Sequence, residues 1–316
     1  MSSRSGAQYE IVHGRQRLVV TEVGAAVRSY EVDGTPLFWG FDEDEMSTGG
    51  RGQVLAPWPN RIDAGRYEFD GVTAHAALDE PDRNNAIHGL VRWRPFRLVE
   101  AAPASVRLDL VLHPEPGYPF DLGFQVDYEL VDDGLIVRSE ATNFGDRPAP
   151  FGLGFHDYLH AGAVGVDGVE VDLGASRRLQ LDERLLPVGE EDVVGTAYAS
   201  VAGVDGPARV GDLRLDDCFT GLRRNAGGDW HATVRRGRGA LDEIVIWADQ
   251  AFNWLMVFTG DSLPEQHRRV ALAIEPMTCP PNAFNTGEGV IELKPGERFS
   301  AAWGIRLPAL GSPGRA

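Results

Sequence analysis

Apolar and polar residues alternate along several short stretches of the chain. Residues 124–130 are apolar at every even position and polar at every odd one, and residues 106–112 follow a similar pattern. Because successive side chains of a strand point to opposite faces, this period of two predicts strands with one buried face. More continuously apolar stretches predict further, more fully buried strands at residues 135–138, 243–247 and 254–258.

Turn-forming residues interrupt the chain at short intervals. The sequence contains 38 glycines and 20 prolines. Pairs typical of tight turns follow or precede the apolar stretches, which is the spacing expected of hairpins. These pairs are Asp33-Gly34, Asp70-Gly71, Asp133-Gly134 and Pro295-Gly296.

The chain shows no sustained helical pattern of apolar residues. Only residues 179–191 suggest a helical turn, and Pro187 and Gly189 interrupt it. Many short strands separated by turns favour an antiparallel β-sandwich or barrel. Because no linker or repeat divides the sequence, we predict one all-β domain over residues 1–316, with an ordered core over roughly residues 8–308.

Charge and composition exclude several classes of protein. The chain has 30 Lys and Arg against 47 Asp and Glu, so its formal net charge is −17. Such a surface repels nucleic acid and anionic lipid, and neither is expected as a partner. The acidic run at residues 42–45 is expected to be a solvated loop. The two cysteines, Cys218 and Cys279, are too few for a disulfide framework or, alone, for a structural zinc site.

The sequence gives no sign of export or membrane insertion. No apolar run approaches the ~18 residues needed to span a bilayer. The first ten residues are polar and lack the apolar segment of a signal peptide. We therefore expect a cytoplasmic protein.

Four segments carry more chemistry than a scaffold needs. Each places ionisable residues among aromatic residues, glycine and proline, a setting that holds a loop rigid and partly dry. The segments are residues 57–62, 84–90, 151–158 and 274–285.

Five motifs occur in a fixed order along the chain. They are Asn-Arg-Ile at 60–62, His-Gly at 88–89, His-x-Tyr at 156–158, Asp-x-x-Phe at 216–219 and Glu-Pro-Met-Thr-x-Pro at 275–280. This order resembles the aldose 1-epimerase (galactose mutarotase) family. It is most similar to a bacterial branch with Pro-Trp-Pro-Asn-Arg-Ile and His-Gly-Leu-x-Arg, which also resembles sulfoquinovose mutarotases.

The resemblance runs from Pro57 to Trp303 and implies both fold and activity. The implied fold is a single-domain antiparallel β-supersandwich. The implied activity is that of an isomerase that interconverts the α and β anomers of a free aldose. It opens and closes the sugar ring by acid–base catalysis and uses no metal or other cofactor.

The resemblance assigns the two proton-transfer roles to Glu275 and His156. Glu275 matches the base that takes the proton of the C1 hydroxyl, and its apolar neighbours Ile274 and Pro276 suit a carboxylate with a raised pKa. His156 matches the acid that protonates the ring oxygen, since histidine titrates near neutrality. Asp157 follows His156 where many relatives carry a small residue or proline, so the local loop shape is expected to differ.

The remaining matches concern sugar binding. Arg61 matches an arginine that holds sugar hydroxyls, and its planar fork suits two neighbouring oxygens. Asp216 matches the sugar-binding carboxylate, with Asp217 as the alternative if the register slips by one. The full set expected to bind substrate is Arg61, His88, Asp216, Asn60, Trp58 and Tyr158.

Other functions remain open. A mutarotase for an anionic sugar, sulfoquinovose or a hexose 6-phosphate, would need local positive charge. A non-catalytic sugar-binding protein on the same fold would need neither His156 nor Glu275. A metal hydrolase using His156 and His160, or a glycosidase using Asp216 and Glu275, fits the pattern less well. The expected partner is a monosaccharide, and the expected state is a monomer or homodimer. The arginines available for an anion are Arg83, Arg92, Arg94, Arg223 and Arg224.

Overall fold

The computed structural model describes residues 3–308 and residue 310. The ends of the predicted domain, residues 1–2, 309 and 311–316, lie outside the described residues. Within the described part, antiparallel strands make up almost all of the regular structure, which confirms the all-β prediction. No helix in this part is long and apolar enough to cross a membrane.

The strands are short and follow one another closely. The first half contains β1 (Gln8–His13), β2 (Gln16–Thr21), β3 (Val27–Val32), β4 (Thr35–Pro36), β5 (Gln53–Leu55), β6 (Arg61–Asp63), β7 (Arg66–Phe69), β8 (Val72–His75), β9 (Asn85–Ile87), β10 (Arg97–Ala102), β11 (Ser105–Leu112), β12 (Leu122–Val131), β13 (Gly134–Asn143) and β14 (Ala149–Phe151). The second half contains β15 (Gly154–His156), β16 (Tyr158–His160), β17 (Glu170–Asp172), β18 (Arg177–Leu181), β19 (Pro187–Asp192), β20 (Ala208–Arg209), β21 (Asp216–Thr220), β22 (Trp230–Arg235), β23 (Glu243–Ala248), β24 (Trp254–Phe258), β25 (Ala271–Met277), β26 (Ile291–Leu293) and β27 (Arg298–Arg306).

Helices in the described part are single turns. The α-helical turns are α1 (Gly165–Gly168), α2 (Ala199–Ala202) and α3 (Ala283–Thr286). Short 3₁₀ turns lie at Pro81–Arg83, Val91–Trp93, Gly162–Val164 and Glu265–His267.

Two large sheets carry the fold. One has nine strands in the order β10-β11-β12-β13-β27-β23-β22-β17-β20. The other runs β19-β18-β21-β24-β25-β15-β5, with β16 also paired to β25. One continuous hydrophobic core joins side chains of both sheets, and the Phe155 and Trp303 rings meet across it with centroids 5.1 Å apart. This is the sandwich architecture that the resemblance implied.

The alternation in the sequence predicts strand faces correctly. In β12, Phe124, Val126, Tyr128 and Leu130 are buried, and the residues between them are partly exposed. The apolar stretches at β24 and β25 lie inside the second sheet, where both faces are covered. Residues 42–45 are exposed, as expected of a solvated loop.

The helical interpretation of residues 179–191 is wrong. This segment forms the paired strands β18 and β19, joined by a turn in which the Leu185 N–H donates to the Asp182 carbonyl. Pro187 fits because β19 is an edge strand, where a missing N–H is tolerated. Burial alternates at Leu179, which is buried between more exposed neighbours, and so follows a strand period.

Candidate active site

A cavity of about 270 Å³ opens over the second sheet. Strands β15, β21, β24 and β25 and the two-stranded ribbon β6–β9 contribute its walls. Seven of the eight residues predicted to act on the sugar line it. The lining comprises Gly49, Gly50, Asn60, Arg61, Asp79, Glu80, Arg83, Ile87, His88, Arg92, Trp93, His156, Tyr158, Asp216, Met256, Phe258, Ser262, Leu263 and Glu275.

Trp58 is the predicted residue that the structure does not bring to this cavity. Its side chain is buried and packs edge-on against Phe284, with ring centroids 5.8 Å apart. It lines a neighbouring cavity instead, beside Leu90 and Trp93.

Glu275 lies in the interior of β25, where Met256 of β24 is its cross-strand partner. Its side chain is almost fully buried, and the residue is 1% exposed. Oε1 lies 3.4 Å from His156 Nε2, and Oε2 has no hydrogen-bond partner in the described structure. Burial raises the pKa of Glu275 well above its usual value, the nearby Asp216 adds to the rise, and Arg61 opposes it. The carboxyl group therefore holds a proton readily.

His156 ends β15 and is also buried. Burial, reinforced by Arg92, lowers the pKa of His156 to about 3. Burial therefore favours a neutral imidazole beside a neutral carboxyl over the corresponding ion pair. The two arrangements contain the same protons and differ only in where one of them lies.

His88, the second histidine, directly follows β9 of the ribbon β6–β9. The His88 N–H donates to the Asn60 carbonyl at 2.8 Å, and the Asn60 N–H donates to His88 Nδ1 at 3.3 Å. Since Nδ1 accepts a hydrogen bond, the proton of the neutral ring lies on Nε2. The His88 and His156 rings meet edge to face with centroids 5.1 Å apart. Burial and the proximity of His156 lower the pKa of His88 well below its usual value.

Arg61 begins β6 and is held by Glu80. Its Nε and Nη2 donate to the two Glu80 carboxylate oxygens at 2.8 and 2.9 Å, and Nη1 donates to Asn60 Oδ1 at 3.3 Å. Arg83 and Asn85 also donate to Glu80. This fork fixes the orientation of the guanidinium group of a residue that is only 5% exposed.

The structure separates Asp216 from Asp217. Successive residues of β21 point to opposite faces, and Asp216 lines the cavity, with Oδ2 3.9 Å from Arg61 Nη2. Asp217 accepts a hydrogen bond from Arg178 and does not line the cavity. Burial raises the pKa of Asp216, and Arg61 opposes the rise.

Several lining residues were not anticipated from the sequence. Asp79 and Glu80 act through their partners: Asp79 accepts from the Ile87 N–H and from Arg92, as Glu80 does from Arg61. No local sequence pattern indicates a role for Asp79 or Glu80. The turn at residues 48–52 is different, because three glycines within five residues are a visible signal of a close backbone approach.

The arginines considered for an anionic substrate all have partners. Arg83 and Arg92 line the cavity, paired with Glu80 and Asp79. The other three lie outside its lining: Arg94 pairs with Glu115, Arg223 pairs with Asp172, and Arg224 donates to backbone carbonyls and Asn253.

Comparison with known proteins gives consistent matches. Residues 7–306 match the family model described as aldose 1-epimerase. The uncharacterized protein YihR of Escherichia coli K12 is 33% identical over 299 residues, which cover 93% of this chain and 91% of YihR. Human galactose mutarotase is 32% identical over 157 residues, which cover 46% of this chain and 44% of that protein.

Solved structures share the fold. The GalM/aldose epimerase homologue of C. elegans superposes with a TM-score of 0.82 at 19% identity, covering 95% of this chain and 98% of that one. Galactose 1-epimerase of Lactobacillus acidophilus NCFM superposes with a TM-score of 0.77 at 19% identity, covering 93% and 92%.

Proposed function

This chain belongs to the aldose 1-epimerase family, and on that basis we propose that it is a mutarotase that interconverts the α and β anomers of a free aldose. The observation that carries the proposal is the contact between the buried side chains of Glu275 and His156, which lie 3.4 Å apart in the lining of one cavity. One supplies a carboxyl group and the other an imidazole, which are the base and the acid that ring opening needs.

Ring opening moves one proton onto the enzyme and one off it. The Glu275 carboxylate takes the proton of the C1 hydroxyl as protonated His156 gives its proton to the ring oxygen. The bond between C1 and the ring oxygen breaks, its electron pair stays on that oxygen, and C1 becomes an aldehyde. The enzyme is left with a neutral carboxyl and a neutral imidazole, the pair that burial favours. Rotation about the C1–C2 bond and the reverse transfers then close the ring on the other face.

The other cavity residues supply complementary hydrogen-bonding groups. Arg61 and His88 Nε2 offer donors, and Asp216 offers a carboxylate acceptor. We propose that these three bind sugar hydroxyls and that Asn60 and Tyr158 shape the cavity around them. Arg61 is well suited to this, since Glu80 holds its fork in one orientation.

The charge of the cavity supports a neutral sugar. Arg61, Arg83 and Arg92 face Asp79, Glu80, Asp216 and Glu275, and each arginine already has a carboxylate partner. An anionic sugar would therefore enter a cavity in which carboxylates already offset the arginines. Sulfoquinovose and hexose 6-phosphates remain the alternative substrates, because Arg83 and Arg92 do lie in the lining. Action on a free monosaccharide in the cytoplasm, as a monomer or homodimer, is part of the same proposal.

Polarimetry on freshly dissolved α-sugar tests the function. The wild-type chain should accelerate mutarotation, and Glu275→Gln should reduce the rate by a factor of about 10² to 10⁴, the usual contribution of a general base. Glu292→Gln, at an exposed position of β26, is the matched control and should keep wild-type activity. Near-normal activity in Glu275→Gln would refute the base assignment. Sugar binding without acceleration by the wild type would instead support a binding protein.

Exchange NMR across four sugars identifies the substrate. Glucose and galactose should exchange anomers faster with the enzyme than without it. Preferential catalysis of glucose 6-phosphate or sulfoquinovose would establish the anionic alternative.

A further inference from the structure

The imidazole of His156 is not oriented by a hydrogen bond on its far side. Its Nδ1 is buried and bonds to no other residue in the described structure, and Nε2 lies 3.4 Å from Glu275 Oε1. Working histidines usually have the second nitrogen fixed by a carboxylate or carbonyl. The orientation of this ring must therefore come from packing.

Three groups pack against the ring: the His88 ring, which meets it edge to face, the Tyr158 ring and the backbone of Gly50. The Tyr158 ring stacks on the His156 ring with centroids 4.9 Å apart and an interplanar angle of 21°. The backbone of Gly50 approaches so closely that a Cβ there would lie 2.5 Å from His156 Cδ2 and 2.9 Å from Nε2. Gly50 has a φ of +78°, so the turn needs glycine for its backbone conformation as well as for space.

The turn that carries Gly50 is tied to the same two residues. The Gly52 N–H donates to the His156 carbonyl at 3.0 Å, and the Tyr158 hydroxyl donates to the Gly49 carbonyl at 2.8 Å. Any shift of this turn would therefore move two of the three groups that pack against the imidazole, Gly50 and Tyr158.

The side chain of Arg51 stabilises the 48–52 turn. This side chain, from a residue that is 5% exposed, lies with the guanidinium carbon 4.5 Å from the Trp39 ring centroid. Nη1 donates to the Gly40 carbonyl at 2.7 Å. Nε and Nη2 donate to the carbonyl and the hydroxyl of Thr48, at 3.1 and 2.7 Å. No carboxylate in the described structure lies within ion-pair distance of Arg51, so all its strong contacts serve the backbone fold of this segment.

We propose that Arg51 is a positioning residue for proton transfer by His156, acting through the 48–52 turn and Gly50. This inference rests on the proposed function of the site. Arg51 does not line the catalytic cavity, and it makes no hydrogen bond to Arg61, His88 or Asp216, the residues proposed to bind sugar hydroxyls. Misplacing a reacting group by about 1 Å can cost up to about 10²-fold in rate. The effect should therefore fall on kcat.

The test compares Arg51→Met, Arg51→Lys and Arg28→Met in anomer exchange kinetics. Arg51→Met should lower kcat about tenfold or more and change KM less than twofold. Arg51→Lys, which keeps the charge beside Trp39 and loses the planar fork, should lie between Arg51→Met and the wild type. Arg28→Met is the control, because Arg28 lines the same outer groove as Arg51 and its side chain makes no hydrogen bond or ion pair in the described structure. It should behave as wild type.

Other results would overturn the inference. Equal kcat in Arg51→Met and Arg28→Met would do so, as would a loss confined to KM. If Arg51→Met fails to fold, the Thr48→Val variant tests the proposal instead. Thr48 is exposed, and this substitution removes only the hydrogen bond from Arg51 to the Thr48 hydroxyl. Unchanged kcat in Thr48→Val would then reject the proposal, and a lowered kcat would support it.

A spectroscopic readout separates this inference from the proposed function. The His156 ring protons, assigned with His156→Asn, should shift in Arg51→Met and stay in place in Arg28→Met. If the wild type accelerates mutarotation of no aldose, the proposed function fails. The change in the His156 ring-proton shifts still tests whether Arg51 positions the His156 ring.

Discussion

Burial sets the direction in which the pKa values of Glu275 and His156 shift. Glu275 and His156 are ordinary titratable groups whose pKa values move in opposite directions, up for the carboxyl and down for the imidazole, because both lose water. The sequence suggested the change at Glu275 through its apolar neighbours. It could not show that the imidazole would lie against the carboxyl, since the two residues are 119 positions apart.

Asp216 and Asp217 should differ sharply in substitution. Asp216→Asn removes a carboxylate from the cavity and should raise KM about tenfold or more, the cost of a charged hydrogen bond to substrate. Asp217→Asn breaks the pair with Arg178 and should lower the free energy of unfolding with little change in KM. Steady-state kinetics and denaturant unfolding of both variants check this. The reverse assignment of the two effects would put Asp217, not Asp216, at the sugar.

Asp157 is the residue at which the sequence departs from the pattern that the family resemblance implies. It lies between β15 and β16, is buried, and has one carboxyl oxygen without a partner in the described structure. Burial raises its pKa from 3.8 to about 8. Asp157 thus adds a buried carboxyl group with a raised pKa next to His156 in the chain.

The Asp157→Asn variant should become relatively more stable as pH rises. Below pH 4 the wild-type carboxyl is protonated in both the folded and the unfolded chain. Between about pH 4 and 8 the unfolded chain ionises and the folded chain does not, so wild-type stability is lost progressively. Asparagine lacks this penalty, and the gain at pH 8 relative to pH 4 should be of the order of a few kcal/mol. Denaturant unfolding of both proteins at pH 4, 6 and 8 measures it, and a pH-independent difference would contradict it.

Long strands could be predicted from the alternation of apolar and polar residues, and strands of three residues could not. The ten residues of β12 show a clear alternation. The strands β5, β6, β9 and β15 have three residues each, too few to display any period, yet they carry or support Arg61, His88 and His156. The sequence located these residues by motif. It did not predict the ribbon β6–β9 that brings two of them together.

Arg184, in the turn between β18 and β19, bonds to the ribbon β6–β9 and the residues that precede β9. Its Nε donates to the Arg83 carbonyl and its Nη2 to the Asn84 carbonyl, both at 2.9 Å, and Nη2 also lies 2.6 Å from Asp63 Oδ1. We expect Arg184→Met to lower the free energy of unfolding by about 1–3 kcal/mol, the range for hydrogen bonds to charged groups, and to raise KM.

Thermal or denaturant unfolding and kinetics check the Arg184 prediction. Arg177→Met is the control, since Arg177 makes a more exposed ion pair with Glu190 on the same hairpin. It should change stability by less than about 0.5 kcal/mol and leave KM unchanged. Similar losses in both variants would mean that Arg184 does not support the ribbon in particular.

The whole molecule combines a net charge of −17 with a cavity whose charges are nearly matched. The overall charge argued against nucleic acid and anionic lipid as partners. It could not describe the electrostatic field of the cavity, because that field depends on how arginines and carboxylates pair locally. The family resemblance predicted the sandwich, which the structure confirms. Asp79 and Glu80 were beyond prediction, because their roles depend on partners brought close only by the fold. The glycines at 48–52 signal a close backbone approach, but the sequence does not show that the approach is to His156. A single domain over residues 1–316 remains a prediction.

The position of β27 bears on how the protein is made. This strand, the last of the described strands in sequence, lies between β13 and β23 in the middle of the nine-stranded sheet. While the ribosome is still synthesising residues 298–306, the two halves of that sheet have no strand to join them. The emerging chain therefore exposes two unpaired strand edges until residues 298–306 have been made, a stage at which chaperones or slow translation would matter most.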